Sequence, residues 1–156
     1  MNTVGISRSG KSVDGFDRVL TTAQLREAAG EADFIINTLP LTDDTQGLFD
    51  ASVFNACREG AYYINIGRGA TTDTDDMIAA LNSGRLAGAG LDVFETEPLP
   101  PEHPLWGMEQ VIITPHCAGA TDRYADRVVE IFSSNMRAYL EQGAPARNVV
   151  DYSRQY

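Results

Sequence analysis

Apolar residues fall along this chain in short runs, separated by stretches with helical spacing. Residues 4–6 (VGI) read as the end of a strand passing into a Ser/Gly loop, and residues 18–20 (RVL) as a short edge strand. Residues 33–39 (DFIINTL), 61–66 (AYYINI), 86–93 (LAGAGLDV) and 111–114 (VIIT) have the apolar and β-branched content of buried parallel strands. Amphipathic segments lie between them. Thr21 or Thr22 caps a helix carrying Leu25, Ala28 and Ala29, closed by Gly30. Asp50 caps a second, with Val53, Phe54 and Cys57 inward and Gly60 at its end. A third starts at 71–73 and turns Met77, Ile78 and Leu81 inward up to Gly84. Residues 121–142 keep a helical period through Tyr124, Val128, Ile131, Phe132, Met136, Tyr139 and Leu140, and Gly143 ends that helix. Residues 148–150 are expected to add a small strand or arm.

Short strands alternating with helices predict an α/β fold built on a parallel sheet flanked by helices. The connection at 95–108 is rich in proline, whose fixed φ favours an ordered loop. The length, 156 residues, suits one domain with a single core. A net charge of −10 argues against nucleic acid and anionic membrane as partners. Lys11 is the only lysine. Cys57 and Cys117 form no CxxC pair, which offers no zinc site and fits a reducing cytoplasm. No apolar run is long enough to span a bilayer, so a cytoplasmic location is expected.

Candidate chemistry sits at strand ends. The run at 61–66 stops at Gly67-Arg68-Gly69, a single cation between two glycines that let backbone approach a ligand. Ligands of open α/β sheets bind just outside the carboxyl ends of the strands. Two further strand ends lead to Glu97 and to His116. An arginine fork holds a carboxylate and polarises the adjacent carbonyl. A histidine gives or takes the proton there, and a carboxylate on the imidazole keeps it a competent acid. That set suits reversible hydride transfer between a nicotinamide and a 2-keto or 2-hydroxy acid. Taken singly, each residue has a plain alternative: a polar loop, a solvated carboxylate, a strand cap. His103, between proline-rich turns, is expected at the surface.

INIGRG at 64–69, LAGAGLDVFETEPLPPEHPLW at 86–106, VIITPHCAG at 111–119 and NTLPLTDDTQGL at 37–48 resemble the signatures of the D-isomer-specific 2-hydroxyacid dehydrogenases. The resemblance runs from about residue 4 to 150. It implies that Arg68 binds substrate carboxylate and carbonyl, that Glu97 is the catalytic carboxylate and that His116 is the acid/base. Asp92 would lie near the nicotinamide carboxamide. Leu39, Pro40 and Thr45 would face the adenosine and pyrophosphate, and Ile66 and Gly119 would line the nicotinamide pocket. The LPLT motif and the Trp106 loop are most similar to the glyoxylate and hydroxypyruvate reductase branch, and less so to the 3-phosphoglycerate branch.

The cofactor expected is NADP(H) rather than NAD(H). In such a domain an acid after the second strand usually binds the ribose hydroxyls of NAD. Here the strand ends in Ser7-Arg8-Ser9 with no acid before Asp14, and a guanidinium flanked by hydroxyls suits a 2′-phosphate.

No GxGxxG occurs in the chain. By resemblance that loop and the first, central strand precede residue 1, so residues 1–156 are expected to be a partial Rossmann-like dinucleotide-binding domain, with a long helix and tail at 121–156 and the substrate domain absent. Removing a central strand leaves a slot where paired neighbours would be about 4.8 Å apart. The half-sheets must then close up, borrow a strand or come apart. A fragment of a longer enzyme is the favoured reading. A homodimer is expected, with strand or segment exchange as one way to complete the sheet. The alternative is a non-catalytic nucleotide-sensing or protein-interaction module.

Overall fold

The computed structural model describes residues 1–153. The chain divides into two compact units, Met1–Pro115 and a second that begins at His116. The first unit holds six strands: β1 (Val4–Ser7), β2 (Arg18–Thr21), β3 (Phe34–Asn37), β4 (Ala61–Asn65), β5 (Leu86–Leu91) and β6 (Val111–Ile113). It also holds three helices: α1 (Leu25–Glu31), α2 (Ala51–Ala56) and α3 (Thr74–Asn82). All strand pairs are parallel. They form two sheets, β1-β2 and β3-β4-β5-β6.

A cleft of about 260 Å³ lies between the two sheets, lined by all four residues of β1 and all four of β3, with Leu25, Ala28 and Ala29 of α1 at its floor. The half-sheets have therefore not closed up. Among the described residues β1 pairs only with β2, and β3 pairs with β4 alone.

The core lies on one face of the larger sheet. Side chains alternate along a strand, so Ile35 and Asn37 of β3 and Ala61, Tyr63 and Asn65 of β4 point the same way and are buried. Tyr63 is fully buried and packs against Phe49 and Phe54 with ring centroids 5.2 and 5.3 Å apart. Val53, Phe54, Met77 and Leu81 of α2 and α3 complete that cluster. The opposite face departs from the expectation of strands buried on both sides. Phe34 and Ile36 are 61% and 60% exposed, and Tyr62 and Ile112 are exposed beside them. An apolar run sets the capacity to be covered on both faces but does not supply the covering layer.

Local chemistry explains the helix ends. The Asp50 carboxylate accepts the N–H groups of Ser52 and Val53 and starts α2, and Asp73 accepts that of Asp76 in α3. These hydrogen bonds hold the Asp50 carboxyl below its usual range, the Ser52 hydroxyl contributing most. Gly30 does not close α1, which continues to Glu31. A Cβ there would lie 3.1 Å from the Ala56 carbonyl oxygen, so this glycine serves the approach of α1 to α2.

The second unit, which begins at His116, holds α4 (Tyr124–Gln142). Gly143, left-handed, ends the helix as expected. The residues of its helical period are largely uncovered: Phe132 and Leu140 are 61% and 77% exposed, Tyr124, Val128, Met136 and Tyr139 are exposed too, and Ile131 is half-buried. Helical period aligns such residues on one side without providing a surface to meet them. Residues 148–150 form no strand. The backbone at 146 and 147 is tied to α4 by the Asn135 side chain, which accepts two N–H groups and donates to the Arg147 carbonyl.

Candidate functional site

Parallel register brings the carboxyl ends of the larger sheet into line. Asn37 stands opposite Asn65, Asn65 opposite Leu91, and Leu91 opposite Ile113. Leu39, Ile66–Gly69 and Asp92 therefore emerge along one edge of the first unit. Ser7, at the end of β1, lines the same cleft as Asn37 and Leu39.

Arg68 is the exposed centre of this edge. Its Nη1 donates to the carbonyl of Gly67 at 2.8 Å. The flanking glycines work differently from the expectation. A Cβ on Gly67 would lie 2.6 Å from the Leu39 carbonyl oxygen, and one on Gly69 only 1.9 Å from the Phe94 carbonyl carbon. Contacts under 3.0 Å to backbone are not accommodated by side-chain movement. The two glycines thus seat the arginine loop against neighbouring loops: 38–39 on one side, 94–95 on the other. The close approach is to protein backbone.

The 94–95 loop leads to Glu97. Its Oε1 accepts the Phe94 N–H at 2.9 Å, which closes the turn, and its side chain is exposed. Arg68 and Glu97 are thereby carried on loops that touch through Gly69. The proline-rich connection beyond is ordered, as expected. Trp106 Nε1 donates to the Pro100 carbonyl at 2.9 Å. His103 is half-buried, and its Nδ1 accepts the Leu105 N–H at the start of the short 3-10 turn Pro104–Gly107.

Asp92 is buried and accepts a hydrogen bond of 2.5 Å from the Thr114 hydroxyl, which joins the ends of β5 and β6. Leu39 is half-buried and Pro40 exposed. Thr45 organises their loop: its Oγ1 donates to the Pro40 carbonyl at 2.7 Å and accepts the Thr42 N–H at 2.8 Å. Ile66 is exposed at the tip of β4. Beyond β1, Ser7 Oγ accepts the Gly10 N–H and Ser9 Oγ the Lys11 N–H, folding a turn that leaves Arg8 and Ser9 exposed. His116 and Gly119 belong to the second unit, where both are exposed. His116 has a left-handed backbone, with φ of 50°, an uncommon conformation for a residue with a Cβ.

Burial pushes the Cys57 thiol up to about 11, so it stays protonated in the core. Among the described residues no group of His, Cys, Asp and Glu is placed to hold a metal ion, and no helix is long and apolar enough to cross a membrane.

Sequence reasoning missed the residues that hold the edge from below. Asn37, Tyr63, Asn65, Thr71 and Thr72 are buried and joined by hydrogen bonds under Arg68. A signal was present: the runs FIIN and YYIN both stop on asparagine. A buried amide at a strand end needs partners, and these partners come from elsewhere in the chain.

Residues 1–118 match the family model described as D-isomer specific 2-hydroxyacid dehydrogenase, NAD binding domain. The chain is 41% identical over 150 residues to glyoxylate/hydroxypyruvate reductase A of Citrobacter koseri, which takes in 96% of the chain and 47% of that protein. Among solved structures it resembles an NADPH-dependent glyoxylate/hydroxypyruvate reductase from Sinorhizobium meliloti in complex with NADP and sulfate. There the TM-score is 0.87 at 37% identity, over 98% of this chain and 49% of that one. A phosphoglycerate dehydrogenase from Lactobacillus plantarum gives a TM-score of 0.77 at 38% identity, over 97% of this chain and 49% of the other. The chain spans about half the length of these relatives.

Proposed function

The chain belongs to the D-isomer specific 2-hydroxyacid dehydrogenase family through its NAD binding domain, and from that premise we propose that it is the cofactor-facing half of an NADP(H)-dependent reductase of small 2-keto acids such as glyoxylate or hydroxypyruvate. The observation that carries this reading is the placement of Arg68. It stands exposed at the carboxyl edge of a parallel sheet, on a loop held on both sides by glycine contacts to backbone. A guanidinium so presented binds a carboxylate through two hydrogen bonds and leaves the adjacent keto group beside it.

The donor set fits the cofactor. The Ser7-Arg8-Ser9 turn presents a guanidinium and hydroxyls and contains no carboxylate, which matches a 2′-phosphate and repels nothing on it. Leu39, Pro40 and Thr45 would border the adenosine and pyrophosphate, and Ile66, Asp92 and Gly119 the nicotinamide. Bound there, the nicotinamide supplies the hydride that reduces the keto carbon. His116 would give the carbonyl oxygen its proton, with Glu97 as its partner carboxylate. In the reverse direction the same imidazole takes the hydroxyl proton.

A second reading, a non-catalytic module that senses a nucleotide or binds a partner protein, is favoured by the exposed apolar residues of α4, among them Val128, Phe132 and Leu140. Absorbance of NADPH, followed with glyoxylate or hydroxypyruvate, separates the two. The first reading expects turnover by the chain extended upstream with a strand and glycine loop, and loss of that turnover in Arg68→Gln. Failure of the extended form, folded by circular dichroism, with every small 2-keto acid favours the binding module.

A further inference from the structure

Two loops of the candidate site are joined by a buried relay of hydrogen bonds. The Leu39 N–H can only donate, and it donates to Oδ1 of Asn37 at 3.0 Å. This turns the Asn37 amide group inward, where Nδ2 donates to Thr71 Oγ1 at 2.7 Å and to Tyr63 Oη at 3.0 Å. The Thr71 hydroxyl in turn donates to the Arg68 carbonyl at 2.6 Å. A second branch runs beside the first. Tyr63 Oη and Thr72 Oγ1 share a hydrogen bond of 2.6 Å. Asn65 Nδ2 donates to Thr72 Oγ1 at 3.1 Å and to the Arg68 carbonyl at 3.3 Å. Oδ1 of Asn65 accepts the Gly67 N–H at 3.0 Å. Both branches start at the amide that holds Leu39 and end on the peptide groups of Gly67 and Arg68.

The relay lies in the core: Thr71 is 0% exposed, and no buried side-chain nitrogen or oxygen among the described residues lacks a partner. Buried polar groups are costly unless paired, and a fully paired set admits few arrangements. The two loops also touch directly, since the Gly67 Cα lies against the Leu39 backbone. A displacement of Leu39 thus reaches the Arg68 peptide by contact and through the relay.

We propose that Asn37, Tyr63, Thr71, Thr72 and Asn65 are positioning residues that couple the Leu39 loop to Arg68, so that a dinucleotide against Leu39 presets the arginine for a 2-keto acid carboxylate. The proposal rests on the reading of Arg68 as carboxylate ligand and of the 39–45 loop as cofactor side. Linkage makes the effect reciprocal: the carboxylate tightens the dinucleotide by the same factor.

The test is calorimetric titration of oxamate, a small carboxylate with an adjacent carbonyl, into the full chain with and without saturating NADPH. The proteins compared are the unaltered chain, Thr71→Val, Thr71→Ser and Arg68→Gln. NADPH is expected to tighten oxamate on the order of 10-fold in the unaltered chain and in Thr71→Ser, and less than about twofold in Thr71→Val. A threonine that only stabilises the core would weaken both titrations alike and leave the ratio intact. That unchanged ratio, or a ratio of one in the unaltered chain, overturns the proposal. Unaltered oxamate affinity in Arg68→Gln overturns the carboxylate reading instead. If the unaltered chain binds neither ligand, the same titrations in the upstream-extended form judge the carboxylate reading, and amide exchange decides the relay. Thr71→Val must speed exchange at Leu39 while the β4–β5 amides keep their rates, and an unchanged Leu39 sinks it.

Discussion

Gly67 and Gly69 hold Arg68 in place by lacking a side chain. Each presses its backbone on a neighbouring loop where no Cβ fits, so the arginine loop, the Leu39 loop and the Glu97 turn form one edge. Gly69→Ala is expected to lower stability by about 3 kcal/mol, because a methyl group forced against the Phe94 backbone must push two loops apart. Chemical denaturation checks this, and an unchanged midpoint would refute the seating role. Arg8 carries a second expectation at this scale. Exposed between Ser7 and Ser9, it is the cation assigned to a 2′-phosphate. In the upstream-extended form, Arg8→Asp should reverse preference toward NAD(H), read from kcat/KM with each cofactor; the same preference in both would end that assignment.

Among the elements, α2 shows local chemistry acting alone. Asp50 caps it through two backbone N–H groups and the Ser52 hydroxyl. Asp50→Ala should cost about 1 kcal/mol. The carboxyl is held below its usual range, so in the folded chain it stays ionised to lower pH than when unfolded. Its contribution is complete above the ordinary carboxylate range and is lost as pH falls through the lowered folded value. The difference between Asp50→Ala and the unaltered chain should therefore shrink toward acid, which denaturation at a series of pH values measures. Helix ends of this kind were legible in the sequence, because an aspartate three residues before an apolar position is its own signal. The relay under Arg68 was not. Asn37 and Thr71 are 34 residues apart, and only the strand register and the turn at Gly69–Thr71 bring them within 2.7 Å.

At the scale of the molecule, the strands of the first unit form two sheets of unequal support. The four-stranded sheet rests on α2 and α3 around Tyr63, while β1 and β2 border a cleft. Amide exchange should reflect this. Protection is expected to be highest for β4 and β5, each paired into the larger sheet, and clearly lower for β1 and β2. Equal protection across the two sheets would contradict the separation. The same cleft is where the sheet would take an added strand, so ligands or segments that enter it should raise protection in β1 and β3 together.

The sequence alone was sufficient for the parallel α/β pattern, the six strands, the Asp50 and Gly143 helix ends and the family motifs around Arg68, Glu97 and His116. Each depends on residues within one short stretch, where period, capping and motif are written directly. Tertiary structure decided the rest: which sheet face is covered, that the apolar stripe of α4 is exposed, and that the glycines beside Arg68 meet backbone. Such outcomes depend on whether a complementary surface stands at the right distance, and that is a property of distant residues meeting in space. Gly67-Arg68-Gly69 shows both sides of this. Its chemistry is in the sequence, and its position comes from Leu39, Phe94 and the hydrogen bonds beneath it.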